Sequence, residues 1–276
     1  MGDCRFCEKP AGFLRYVHKE CESRYKEGKN KIISLVEHIG FQGGNISSLE
    51  KQINDQALSD FIEKTELNKL IITGWEKAVE RAFDDGVLTK EEEISLTALI
   101  EHFSLTQEKL DKNGAFSKIV KGAVLRDIFE GKIPERQKIN GNIPFNLQKT
   151  EKVIWVFQDV KYYEQKKRTQ YVGSSKGISV RIAKGVYYRT SAFKGERVET
   201  HQTIHTDTGL LGVTNKHIYF SGSGKSFRIS HDKIVSFEPY SDGIGLQKDG
   251  VTAKPQSFVT GNGWFTYNLI TNVAQL

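Results

Sequence analysis

The sequence predicts an α+β chain of several domains: a small Cys/His knuckle, an all-helical middle domain, and a C-terminal β-barrel or sandwich closed by a helix. Three observations predict it. All three cysteines fall within the first 21 residues, beside a histidine. Apolar residues then recur at helical spacing from Lys31 to Pro134. At Lys152 the period changes to short, alternating, β-branched and aromatic runs. A length of 276 residues suits two or three domains, and 38% hydrophobic content is enough to build a core in each. The expected divisions are 1–30, 31–134, a linker at 135–150, and 151–276.

The knuckle carries the sharpest chemistry. Cys4-x2-Cys7 brings two thiols around a tight turn, and His18-x2-Cys21 places a second pair on one face of a helix expected from Tyr16 to Ile39. Pro10 and Gly12 suit a chain reversal between the pairs. Four nitrogen and sulfur ligands with no spare cysteine match the tetrahedral preference of structural Zn²⁺, and a closed set leaves no position for a catalytic water. An odd cysteine count argues against a secreted disulfide framework. The segment resembles a short zinc ribbon or treble-clef knuckle.

In the middle domain, Ile32, Leu35, Val36 and Ile39 predict one helix, ended by Gly40 and Gly43-Gly44. A short segment spans 55–62. Leu67, Leu70, Ile71, Trp75, Val79 and Phe83 form a long stripe. Thr89-x2-Glu92 is a capping box opening a helix that includes Leu96 and Leu99. Thr106 opens another, and Ser117 to Ile128 is the last. The corner at 84–92 is not a calcium loop. With Gly86 at loop position 6, positions 1 and 3 fall on Arg81 and Phe83, which supply no oxygen ligand. The run DDGVLTKEEE between two helices resembles the helical tellurite-resistance, TerB-like domains. That resemblance implies a scaffold associated with stress response or phage defence, and no reaction.

Beyond the linker, strands are expected at Val153–Phe157 continuing through Tyr163, at Tyr171-Val172, Ile178–Ile182, Val186–Tyr188 and Glu199–Thr206, and then as a meander from Gly209 to Gly250. A helix from Trp264 to Gln275 follows, with Phe265, Leu269 and Val273 on its apolar face. The residues Gly209, Leu211, Thr214, Ile218, Phe220, Asp232 and Ile234 resemble the pattern of bacterial PH-like and GRAM-like domains. The resemblance implies a pleckstrin-homology type of fold and non-catalytic binding of lipid headgroups, peptides or partner domains.

No acid–base–nucleophile set is expected, so the chain reads as a non-enzyme. His201 and His205 lie roughly 13 Å apart if extended, too far to share a metal, and Gln202 stands where a zincin has glutamate. Gly224-Lys225-Ser226 echoes a P-loop ending, but Tyr219 occupies the position of its first glycine, and the context is a hairpin.

Charge is uneven: +2 over 1–30, −3 over 31–150 and +7 over 151–276. An anionic partner is therefore expected on the β domain. Lys161, Lys166, Lys167, Arg168, Lys176, Arg181 and Lys184 cluster early in it, with Tyr162, Tyr163 and Tyr171 among them. The PH-like resemblance implies that they form an anion-binding rim. Solvated strand edges blunted by lysine are the competing reading.

The sequence thus predicts an intracellular, non-enzymatic scaffold or sensor that binds a protein partner or an anionic membrane surface. A nucleic-acid-binding accessory protein, using the knuckle and the basic β domain, is the alternative. No apolar run reaches the roughly 20 residues of a membrane span. The start MGDCRFCEKP lacks an apolar signal core, and Phe6 stands where a myristoylation signal has Ser or Thr. The expected location is cytoplasmic, with peripheral contact at the inner face of the membrane.

Overall fold

A computed structural model describes residues 2–13, 15–136, 143–183, 186–250 and 252–276, with 166–183 and 186–201 described by their backbone only. The chain divides into two compact units, 1–130 and 131–276. Together they comprise, among the described residues, seven α-helices and a seven-stranded antiparallel sheet.

The first unit is built on α1 (Lys19–Gln42) and α3 (Lys64–Ala82). The helix α1 runs through residue 30, where the sequence suggests the end of a separate knuckle. Nothing from Lys19 to Lys31 breaks it, and Gly28 is accommodated because the Asp60 carboxylate fills the space a Cβ would need. It also runs through Gly40, expected as a stop, and ends at Gly43, whose positive φ of 77° lets its N–H reach the Ile39 carbonyl. The two helices cross closely. A Cβ on Gly74 would lie 2.7 Å from the Ile33 carbonyl oxygen. Trp75, fully buried on α3, donates its indole N–H to the Leu96 carbonyl at 3.0 Å, tying α3 to α4 (Lys90–His102).

The helix α2 covers Ile46–Ser59, longer than the segment expected at 55–62. Leu49, Ile53 and Ala57 make one buried stripe, and the Asn45 side chain caps the start by accepting from the Ser48 N–H. Such a sparse stripe in a polar run is hard to read from sequence. A single turn, α5 (Gln107–Leu110), and α6 (Ala115–Phe129) complete the unit. The capping box at α4 forms as the spacing predicts, and Asp85 accepts from the Val87 N–H at 3.0 Å in the preceding corner.

In the second unit the strand order is β4-β3-β2-β1-β7-β6-β5. The strands are β1 (Val153–Ala183), β2 (Val186–Thr214), β3 (His217–Gly222), β4 (Ser226–Ser230), β5 (Ile234–Pro239), β6 (Gly243–Lys248) and β7 (Gln256–Val259). The many short strands expected before residue 206 are instead one long antiparallel hairpin. Gly173 faces Gly195 in register rather than making a turn. No proline interrupts residues 145–238, so every residue there can donate to a ladder. Register shifts bend β1, one of them at Asp159 with φ of 53°. Beyond that bend β1 pairs with β7 as well as β2, which joins the two halves of the sheet.

The helix α7 (Gly263–Val273) packs Phe265 edge-on to Trp155 at 4.8 Å, capped by Asn262. Tyr162, Phe220 and Phe258 form the aromatic centre of the sheet's core. Tyr162, which the sequence places among the basic residues, is fully buried. Residues 137–142 of the expected linker lie outside the described residues. Residues 143–150 lie against the sheet: Phe145 is buried on Tyr219 at 5.3 Å, and a Cβ on Gly212 would collide with its ring.

Candidate metal centre

The four residues singled out by spacing converge. The ligand atoms of Cys4, Cys7, His18 and Cys21 all lie within 4.8 Å of one another. Tetrahedral zinc with Zn–S of about 2.3 Å and Zn–N of about 2.0 Å needs its ligand atoms about 3.5–4 Å apart. The His18 Nδ1 is 3.3 Å from the Cys7 sulfur and 3.8 Å from the Cys21 sulfur.

Local backbone chemistry builds this geometry. A tight loop closes with the Cys4 N–H donating to the Lys9 carbonyl and the Glu8 N–H to the Cys4 carbonyl, both at 2.8 Å. Glu8 takes a positive φ of 58° to make the reversal. His18 is the N-cap of α1, so Cys21 falls in its first turn. The His18 Nε2 lies 3.0 Å from the Pro10 carbonyl oxygen, which can only accept. That ring nitrogen therefore carries the proton, and Nδ1 offers its lone pair to the thiols. An outer partner of this kind fixes the tautomer of a metal-binding histidine. Sequence spacing does not reveal it, since it depends on how the loop folds back.

The thiols do not share one affinity for protons. For Cys4, burial works against the thiolate, yet donation from the His18, Phe6 and Cys7 amides outweighs it and lowers the pKa to about 6. For Cys21, burial and the neighbouring Cys7 and Cys4 sulfurs raise it to about 11. Three thiolates this close repel one another, so a divalent cation is the natural way to ionise all of them. The donor set and its spacing fit zinc.

The centre is tied to the helices through the aromatic between its first two cysteines. Phe6 lies 4.8 Å from Tyr25 on α1 and 5.6 Å from Phe61 after α2. Tyr25 in turn donates to Glu66 on α3, which pairs with Lys29 at 2.7 Å.

The other sequence-derived site residues fare differently. Lys161 is exposed on β1. Lys166, Lys167, Arg168, Lys176 and Arg181 lie on β1, with their side chains outside the described residues, and Lys184 is wholly outside them. The His201 side chain is also outside, while His205 lies 3.0 Å from the Thr208 hydroxyl. The P-loop echo is the β3–β4 turn. Its Gly224 and Lys225 amides donate at 2.8 Å to Asp207, whose carboxyl these bonds hold below the usual range. Those amides are already occupied.

One polar cluster had no signature in sequence. Glu151 is buried, and accepts from the Gln148 amide, the Thr214 hydroxyl, the Tyr219 hydroxyl at 2.8 Å and His217 Nδ1 at 2.9 Å. Burial pushes its carboxyl up, and these donors outweigh it to hold the pKa at about 2. Nearby, burial lowers the pKa of His231, whose Nε2 lies 2.9 Å from the Thr214 carbonyl oxygen.

No protein-family model, curated protein or solved structure matches the chain. Among the described residues, no helix is long and apolar enough to cross a membrane.

Proposed function

We propose that the protein is a non-enzymatic scaffold or sensor, with zinc stabilising its N-terminal unit and its PH-like β unit holding an anionic membrane surface. The strand order β4-β3-β2-β1-β7-β6-β5, with α7 packed after it, supports this reading, because a meander closed by a helix resembles the PH superfold. The +7 charge of residues 151–276 supports an anionic target. The buried carboxylates Glu151 and Asp207 are each engaged by donors of their own unit, which suits structural rather than acid–base roles. The TerB-like resemblance of the corner before α4 is the reason to read the pathway as stress response or phage defence. A protein partner would use the same surface.

A nucleic-acid role has one observation in its favour. Phe13 and Tyr16 are 82% and 72% exposed on the loop between the ligand pairs, among Arg5, Lys9 and Arg15, which suits base stacking.

Flotation with phosphatidylserine-containing vesicles, against an oligonucleotide shift at matched salt, separates the two. Each basic residue near an anionic membrane contributes about 1 kcal/mol, so K166E/K167E/R168E is expected to weaken vesicle binding by about a hundredfold or more. Equal retention on neutral and anionic vesicles would contradict the membrane reading. Retention by the oligonucleotide alone would favour the second.

A further inference from the structure

A second basic surface of the β unit lies outside the expected hairpin rim. Arg228 on β4, Lys233 just before β5, Lys248 at the end of β6 and Lys254 before β7 line one cavity of about 560 Å³. Sequence spacing does not group them. Strand pairing brings their backbones together: Ile234 is opposite Lys248, and the Asp249 N–H donates to the Lys233 carbonyl at 2.8 Å.

The cavity also has two carboxylates. Glu164 already accepts from the Tyr162 hydroxyl at 2.7 Å and lies 3.9 Å from Lys225, which is outside the cavity lining. Asp249 is the other. None of the four cations forms an ion pair among the described residues, and Arg228 reaches the Tyr219 hydroxyl opposite it across β3–β4. Four cations around one concave surface repel one another, and the low-dielectric wall strengthens the field they present to an anion.

The cavity wall carries a second signal. Gln256 is 6% exposed, its amide nitrogen donates to the Tyr162 hydroxyl, and its Oε1 is buried with no partner among the described residues. Buried polar atoms are nearly always paired, so an orphan acceptor beside a cavity points to a donor supplied from outside. Gln256 also borders a neighbouring cavity of about 540 Å³, but among the described residues the only charged one lining it is Glu238. Charge therefore assigns an anionic ligand to the first cavity.

We propose that the cleft between β4 and the β6–β7 connection binds a phosphate ester bearing a free hydroxyl. The cations hold the phosphate, and the hydroxyl supplies the donor that Gln256 lacks. A soluble metabolite and a lipid headgroup share this chemistry. The site does not depend on the hairpin rim proposed above.

Calorimetric titration of the full chain with glycerol 2-phosphate and with inorganic phosphate tests it. The ester is expected to bind at least about tenfold more tightly than the bare ion, the scale of one added hydrogen bond. R228Q/K248Q is expected to lose at least about a hundredfold, as two charge-assisted bonds disappear, while K166E/K167E/R168E binds as wild type. Should R228Q/K248Q misfold, K254Q, which lies outside any strand, is expected to weaken binding while keeping the thermal midpoint. Phosphatidylglycerol, whose headgroup keeps free hydroxyls, in phosphatidylcholine vesicles that captures the protein, and is displaced by glycerol 2-phosphate, identifies a headgroup. Capture of the soluble ester alone identifies a metabolite. No binding by wild type, an equal affinity for both anions, or loss of binding only in the hairpin variant would overturn the proposal.

Discussion

Replacing Glu151 with alanine is expected to destabilise the β unit by about 3–5 kcal/mol, the scale of breaking a buried charged cluster by removing one member. The carboxylate joins the segment after Phe145 to β2 and β3, and its loss strands the donors of His217, Tyr219 and the Gln148 amide away from water. Urea unfolding followed by the fluorescence of Trp155, beside α7, reads the change. Acid should do the same to the wild type. Glu151 is held below its ordinary value, so the unfolded chain takes up the proton first as pH falls. Its contribution is complete above about pH 4.5 and is lost progressively toward about pH 2. His231 acts earlier in the same direction. Its pKa is also lowered, so the unfolded chain gains its proton first below the ordinary histidine value of 6.5. Stability of the β unit should therefore begin to fall below about pH 6.5 and fall further below pH 4.5. In Glu151→Gln the lower step should shrink to the part contributed by Asp207 and Asp232, which are also held low. A wild-type unfolding midpoint unchanged between pH 7 and pH 3 would contradict this account of the cluster.

Removing zinc is expected to have the largest effect on the first unit. Structural zinc sites contribute about 10–16 kcal/mol of apparent binding energy in isolated fingers, much of which is folding energy. Here the loop is also held by Phe6 against Tyr25 and Phe61, so chelation should loosen the loop and weaken the start of α1 while the deeper helices around Trp75 persist. Calorimetry with and without EDTA should show a lower first transition after chelation. Cys21→Ser should start at that lower value and respond no further. Phe6→Ala should keep its metal and lose about 1–3 kcal/mol, from two aromatic contacts. An EDTA-insensitive wild type would remove zinc from the account of stability.

What was legible in the sequence was local chemistry. The Thr89–Glu92 capping box and the Cys4, Cys7, His18 and Cys21 set are specified by spacings of three, which a turn or a helix face converts directly into proximity. Strand content was legible too, since aromatic and β-branched runs suit a pleated surface. Strand length was not. Whether Gly173 turns or continues depends on Gly195 lying opposite it, a pairing that no local window contains. The same limit hid the Glu151 cluster, whose carboxylate meets His217 66 residues away. It hid the Lys233 and Lys248 pair, joined only by the β5–β6 register. The Pro10 carbonyl that sets the His18 tautomer belongs to the fold of a loop, where a backbone oxygen leaves no mark in the residue type.

Elemental analysis of the full chain, purified without chelator, most directly tests the metal centre of the first unit. The four converging ligands predict about one zinc per chain, lost in Cys21→Ser. A wild-type protein that is folded and contains no zinc would contradict it.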